Sequence, residues 1–200
     1  MRWSFEKGEV RLAPLCVDEM TAVLAAELSP ARYLHTLGVL QTATVLARLH
    51  GADLERVQTA AILHDCAKNL GREELLTRIR EHRIPVEAED FDYPAILHGP
   101  VGADMARRRF GVQDEEVLDA IFHHPVGRRS PSLTLQILMA ADYCEPTRDF
   151  DGVDALRQAV RADLRKGLLE VLRNKVAHLD RTGRRAHSRV YDMIHSLETC

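Results

Sequence analysis

Five places in the 200-residue chain set a histidine or an aspartate among apolar neighbours: Leu34-His35-Thr36-Leu37, Leu63-His64-Asp65, Ile96-Leu97-His98-Gly99, Ile121-Phe122-His123-His124 and Met139-Ala140-Ala141-Asp142-Tyr143. A histidine in such a setting is commonly just a hydrogen-bonded core residue. A carboxylate is harder to accommodate, because an unpartnered buried charge costs several kcal/mol or is forced to take up a proton. Asp65 and Asp142 both face that cost. A cation ringed by the nearby imidazoles removes it and turns five local oddities into one site. Nitrogen and carboxylate donors without thiolate suit Fe, Mn, Zn, Co or Ni better than Ca or Mg. Such a metal can acidify a bound water and present it to an electrophile, and a second would help hold a phosphoryl group, so phosphoester chemistry is the leading use.

These residues need helices to carry them. Strand signals are almost absent and apolar residues recur every three or four positions, so the chain is expected to be all-α, with a metal site in the core of a compact bundle. Ser29-Pro30 predicts a capped helix start, with the helix running through Leu49 and stopping at Gly51. Asp53 predicts the cap of a second helix, "LERVQTAAILHDCAKNL", that continues to Leu70 before Gly71. Further helices are expected at 72–83, about 99–109, 114–122, 132–143, 153–161, 163–181 and 187–198. Residues 1–16 show no period. We therefore divide the chain into 1–28, an arm and first helix, and a main domain over 29–200.

Composition restricts the function classes. A formal charge of -3 gives no basic field for DNA or RNA, and the clusters Arg107-Arg108-Arg109 and Arg128-Arg129 read as solvated surface. The four cysteines form no C-x-x-C pair, no signal-peptide layout is present, and no apolar run approaches the ~20 residues of a membrane span. A cytoplasmic protein with no membrane partner is expected. Cys66 and Cys144 adjoin candidate ligands but read as small apolar side chains, and His50, His82, His178, His187 and His195 as surface or structural residues.

The ordered blocks "RYLHTLGV" (32–39), "AAILHDCAKNL" (60–70), "ILHGPVGA" (96–103), "AIFHHPVGR" (120–128) and "AADYCEPTRDFDGV" (140–153) resemble those of the HD superfamily of metal-dependent phosphohydrolases. Within it they are most similar to the YqeK-type symmetrical bis(5'-nucleosyl)-tetraphosphatases. The resemblance runs from about Ser29 to at least Leu179. It implies an HD-domain helical fold, a divalent or trivalent transition metal, most of all iron, and a dinucleoside polyphosphate or nucleotide as substrate. A homodimer is compatible with it.

Carried onto this chain, the resemblance implies metal ligation by His35, His64, Asp65 and Asp142. It places His98 and His124 either on the substrate phosphates, the favoured role, or on a second metal. Asp65, His98 and His124 are the implied catalytic residues. Substrate contacts are implied for Arg32, for His98-Gly99-Pro100-Val101, for His124 and for Arg148. Both arginines can fork onto phosphate without losing charge. Lys68 lies one turn after His64 on the expected helix and could reach a phosphate, or serve the helix dipole. Tyr143 could stack on a base or fill the core.

Two departures stand out. His123-His124-Pro125 replaces the usual Tyr-His-Thr, leaving open which histidine faces the site, although Gly127-Arg128 favours His124; and Gln136 stands where a lysine is usual. The implied reaction is attack of metal-bound water on a central phosphorus of diadenosine tetraphosphate, giving two ADP. Alternatives are an HD phosphohydrolase acting on nucleoside mono-, di- or triphosphates, and a catalytically silent scaffold, which the presence of all six site histidines and aspartates disfavours.

Overall fold

The computed structural model describes residues 15–199, and among them there is no strand. The chain runs through α1 (Val17–Glu27), α2 (Pro30–His50), α3 (Leu54–Leu63) and α4 (Arg72–His82), then two short 3-10 turns (Ala88–Asp92 and Pro94–Ile96). It continues through α5 (His98–Phe110), α6 (Glu115–His123), α7 (Leu133–Cys144), α8 (Val153–Ala162), α9 (Leu164–Arg181) and α10 (Ser188–Thr199). Residues 1–14 of the arm lie outside the described residues; Leu15 is buried and its N–H bonds to Phe110 O at 3.1 Å.

The helices start and stop where local chemistry dictates. Ser29 caps α2 by accepting from Arg32 N, and Gly51 ends it in the left-handed region at φ 70°. Asp53, Asp114, Ser132 and Asp163 cap α3, α6, α7 and α9 through their side-chain oxygens. The centre of the molecule is α2, α3 and α7 packed on one another, with α6 and then α5 on one flank and α9, α8 and α10 on the other. Their fully buried faces, including Val39, Leu46, Ile62, Leu63, Ile121, Leu138 and Leu168, form one continuous core. No described helix is long and apolar enough to cross a membrane.

One expected element is different. The helix expected to run to Leu70 ends at Leu63, and residues 64–69 are a chain of turns. The next α-helical bond would take Asp65 N–H to Ala61 O, but the His64 ring occupies that carbonyl, with Nδ1 at 2.7 Å. Beyond it the chain tightens into i→i+3 bonds, Cys66 N to Leu63 O, Lys68 N to Asp65 O and Leu70 N to Ala67 O. Adjacent residues of a regular helix diverge by about 100°. Leaving the helix at this point lets both His64 and Asp65 turn inward, at 0% and 3% exposure.

Candidate metal centre

Six elements deliver the site. α2 carries Arg32 and His35, the turn after α3 carries His64, Asp65 and Lys68, and His98 opens α5. His124 caps the end of α6, Asp142 sits in the last turn of α7, and Arg148 lies in the following loop. His35, His64, Asp65, His98 and His124 are buried and Asp142 is half-buried. His124 rather than His123 faces inward. The His123 ring packs on Phe122 and approaches Asp119 at 3.6 Å, on the wall of an outer groove of about 640 Å³.

The four imidazoles share a protonation pattern. Nδ1 of His64, His98 and His124 each lies 2.7 Å from the backbone carbonyl three residues earlier, Ala61, Ala95 and Ile121. A carbonyl oxygen only accepts, so Nδ1 carries the hydrogen and Nε2 of the neutral ring is a lone pair. His35 presents Nδ1 to Glu145 Oε1 at 3.1 Å instead. All four Nε2 atoms converge on the carboxylates. His35 Nε2 is 3.2 Å from Asp142 Oδ1, His64 Nε2 3.6 Å from Asp65 Oδ2, and His98 and His124 Nε2 are 3.2 and 3.8 Å from Asp65 Oδ1. His98 Nε2 and His124 Nε2 stand only 3.0 Å apart.

Lone pairs that face one another and face carboxylates are repulsive unless something positive lies between them. His35 Nε2, His64 Nε2 and Asp65 Oδ1 are buried with no hydrogen-bond partner. Two triads, His35–His64–Asp142 and His64–Asp65–His124, hold their donor atoms within 4.8 Å of one another. Orphaned donors of this number and type fit a transition-metal ion, with His64 common to both triads.

Electrostatics agrees with the geometry. Burial penalises the Asp65 carboxylate, yet the surrounding His64, His124, His98 and Lys68 outweigh it, holding its pKa well below the usual range. Asp142 is likewise lowered; burial opposes the charge, and the neighbouring His35 and His64 overcome it. His64 is lowered and His98 pushed down to about 4, mainly by burial, so both stay neutral and ligand-competent at neutral pH. For His35 burial is outweighed by Asp142 and Glu145 and its pKa is raised. Burial pushes the Cys66 and Cys144 thiols up to about 12, which keeps them protonated beside the site.

Cations rim the centre. Arg32 Nη1 donates to Asp65 Oδ2 at 2.7 Å and Arg148 Nη2 to Asp142 Oδ1 at 3.0 Å, both side chains about one-third or more exposed. Lys68 Nζ lies 3.1 Å from His98 Nε2 and 3.7 Å from Asp65 Oδ1. Gly99, Pro100 and Val101 are buried in the first turn of α5. A Cβ on Gly99 would come within 2.6 Å of Phe122 O and 2.8 Å of Pro125, so its absence lets α5 approach the end of α6 and brings His98 beside His124. Tyr143 lies between α7 and α9, its hydroxyl donating to Asn174 Oδ1 at 2.8 Å and its ring edge-on to Phe150. Gln136 bonds to Pro131 O.

Two residues were not anticipated. Glu145 is fully buried against His35, but it follows a helix end and precedes a proline, a setting without the apolar run that marked the others. Lys175 of α9 donates to Pro125 O at 2.7 Å within the electrostatic reach of Asp142. In the charged stretch "LRKGLLEVLRNKVAHLDR" nothing distinguishes it from a solvated lysine.

The sequence matches the HD domain family over residues 32–147. It is 40% identical over 162 residues to the symmetrical bis(5'-nucleosyl)-tetraphosphatase of Bacillus subtilis, covering 81% of this chain and 87% of that protein. It is 41% identical over 152 residues to the protein of the same name from Halalkalibacterium halodurans, covering 76% and 81%. A crystal structure of a predicted HD superfamily hydrolase involved in NAD metabolism, from Clostridium acetobutylicum, superposes with a TM-score of 0.89 at 35% identity, covering 94% of this chain and 99% of that one.

Proposed function

The chain belongs to the HD domain family, and from that premise we propose that it is a metal-dependent hydrolase that cleaves diadenosine tetraphosphate symmetrically to two ADP. The observation that carries the reading is the set of buried Nε2 lone pairs and the orphaned Asp65 Oδ1, converging where only a cation satisfies them. The substrate comes from the names of the Bacillus subtilis and Halalkalibacterium halodurans relatives.

His35, His64, Asp65 and Asp142 would hold the metal, with iron the proposed ion. When bound, the metal supplies Lewis acidity, polarising a phosphoryl oxygen and acidifying water. Asp65 has the geometry to orient the attacking water, since Oδ1 has no hydrogen-bond partner while Arg32 holds Oδ2. Arg32, Arg148 and Lys68 sit on the open side, where their charges can bind the phosphates and stabilise the negative charge that builds up in the transition state. A central phosphoanhydride then breaks with ADP as a stable leaving anion.

The close approach of His98 and His124 around Asp65 Oδ1 favours a second ion there over direct substrate contact. Metal analysis separates the two. The second ion predicts about two metals per chain after anaerobic purification, substrate contact about one.

The deciding experiment is chromatography of the products from diadenosine tetraphosphate, with ADP alone expected. AMP plus ATP would overturn symmetrical cleavage. The ligand set fixes the reaction type better than the remote parts of the substrate. A higher kcat/KM on a nucleoside mono-, di- or triphosphate would therefore move the assignment to that class while leaving the centre intact.

A further inference from the structure

Glu145 differs from the site's other carboxylates because it faces the back of a ligand rather than the centre. Its Oε1 accepts from His35 Nδ1 at 3.1 Å and from the Thr147 hydroxyl, and its Oε2 accepts from Thr147 N at 2.6 Å. It is 0% exposed. The slot that holds it is cut into α2 by Gly38, where a Cβ would stand 2.5 Å from Oε2 and 3.3 Å from the carboxyl carbon. The loop bearing it is clamped from α8. Arg157 donates to Cys144 O at 2.9 Å, Glu145 O at 2.8 Å and Arg148 O at 2.9 Å.

His64, His98 and His124 fix their Nδ1 hydrogens with carbonyls of their own chain three residues back. His35 sits inside the long helix α2, where the carbonyls are committed to helical bonds, so its orienting acceptor must come from elsewhere. We propose that Glu145 is the positioning residue that keeps the proton of His35 on Nδ1 and so directs the Nε2 lone pair at the metal centre. The proposal rests on the metal-centre reading and deepens it, by assigning a buried carboxylate, a glycine and a loop clamp to one ligand's tautomer.

The isosteric Glu145→Gln makes a sharp test. Thr147 N–H requires an acceptor at the Oε2 position, so the amide oxygen settles there and the amide NH2 faces His35. A donor opposite Nδ1 moves the ring proton to Nε2 and removes the ligand lone pair. The first measurement is the His35 tautomer by long-range 1H–15N correlation in metal-free protein, at a pH raised until the ring has lost its second proton. Wild type is expected to show Nδ1–H and Glu145→Gln Nε2–H. Metal affinity of the variant is expected to fall about 10- to 100-fold with the circular-dichroism melt little changed.

Gly38→Ala, which pushes the carboxylate off its seat, is the second variant and should shift the tautomer and weaken metal binding in the same direction. An Nε2–H tautomer in wild type overturns the proposal, as does an unchanged tautomer and metal affinity in both variants. Neither readout uses a nucleotide. A substrate other than diadenosine tetraphosphate would therefore leave this result standing, and a failed tautomer shift would leave the substrate assignment standing.

Discussion

Among the described residues, two buried clusters of histidine and carboxylate are wired in opposite senses. In the metal centre, the histidines keep Nδ1–H on carbonyls or Glu145 and leave Nε2 open toward Asp65 and Asp142. The second cluster joins the 3-10 turn at Ala88–Asp92 to the start of α10. There His187 Nδ1 accepts from Arg189 N at 3.2 Å, so its hydrogen is on Nε2 and points at Asp90 Oδ1, 3.0 Å away. Asp90 is also bonded by Arg189 and by Glu87 N–H, and the Tyr93 ring covers the imidazole. Asp90 and His187 are as buried as Asp65 and His64, at 0% and 2% exposure. Burial and residue type therefore do not mark the functional site. What marks it is the convergence of several unsatisfied lone pairs on one point, whereas the second cluster leaves a single donor, Arg189 Nε, without a partner.

The comparison is open to direct attack, first at the carboxylates. Asp65→Ala should abolish metal retention and lower kcat by about a thousand-fold or more, the several kcal/mol that metal activation supplies. Because Asp65 Oδ1 has no hydrogen-bond partner and Arg32 can turn to solvent, the metal-free variant should still fold, with a smaller loss of stability than Asp90→Ala. A metal-free variant that unfolds would show that Asp65 is primarily structural. Asp90→Ala should do the reverse. Removing it strands a half-buried guanidinium and a buried imidazole, at a cost of about 3–5 kcal/mol in denaturant unfolding, with normal metal per folded chain. Normal stability in Asp90→Ala would erase the distinction.

Metal removal sharpens the contrast from the ligand side. An ion held at about a hundred times its dissociation constant adds about 2.7 kcal/mol to the folded state, and a chain of this length shifts in Tm by about 2–4 °C per kcal/mol. Chelation should lower the wild-type Tm by about 5–10 °C and that of Asp90→Ala by a similar interval. It should leave Asp65→Ala where it was. A chelator-induced shift of full size in Asp65→Ala would place the cation elsewhere.

Much of this was legible in the sequence because the relevant signals are local. The caps Ser29 and Asp53 fixed helix starts, and each ligand stood out as a polar residue in an apolar run. The end of α3 was not legible. Periodicity carries on through Leu70, while the break comes from a side chain competing for the Ala61 carbonyl. His187 was read as surface or structural, and the structure makes it a structural residue buried against a partner 97 positions away. Glu145 and Lys175 escaped for the same reason. Their environments are made by residues 110 and 50 positions distant, and neither sits in a run whose pattern it disturbs.

The smallest expected effect tests the comparison at single-residue resolution. His123 and His124 are adjacent and chemically identical, and the sequence left open which one faces the site. The backbone turns them apart: His124 bonds through Nδ1 to Ile121 O and aims Nε2 at His98, whereas His123 approaches Asp119 and lies on Phe122 with no hydrogen bond to Nδ1. An orphaned Nδ1 alone would nominate His123 by the criterion that identifies the centre. It differs in having no second histidine and no buried carboxylate converging on it. The criterion is therefore convergence of open lone pairs, not one open atom. His123→Ala should cost less than about 1 kcal/mol, the range of a partly exposed ion pair, and leave metal content and kcat unchanged. His124→Ala should lose metal from the Asp65 side. Equal metal loss from both variants would show that the turn after α6 is held as a unit, and that facing the centre is not what separates these two residues.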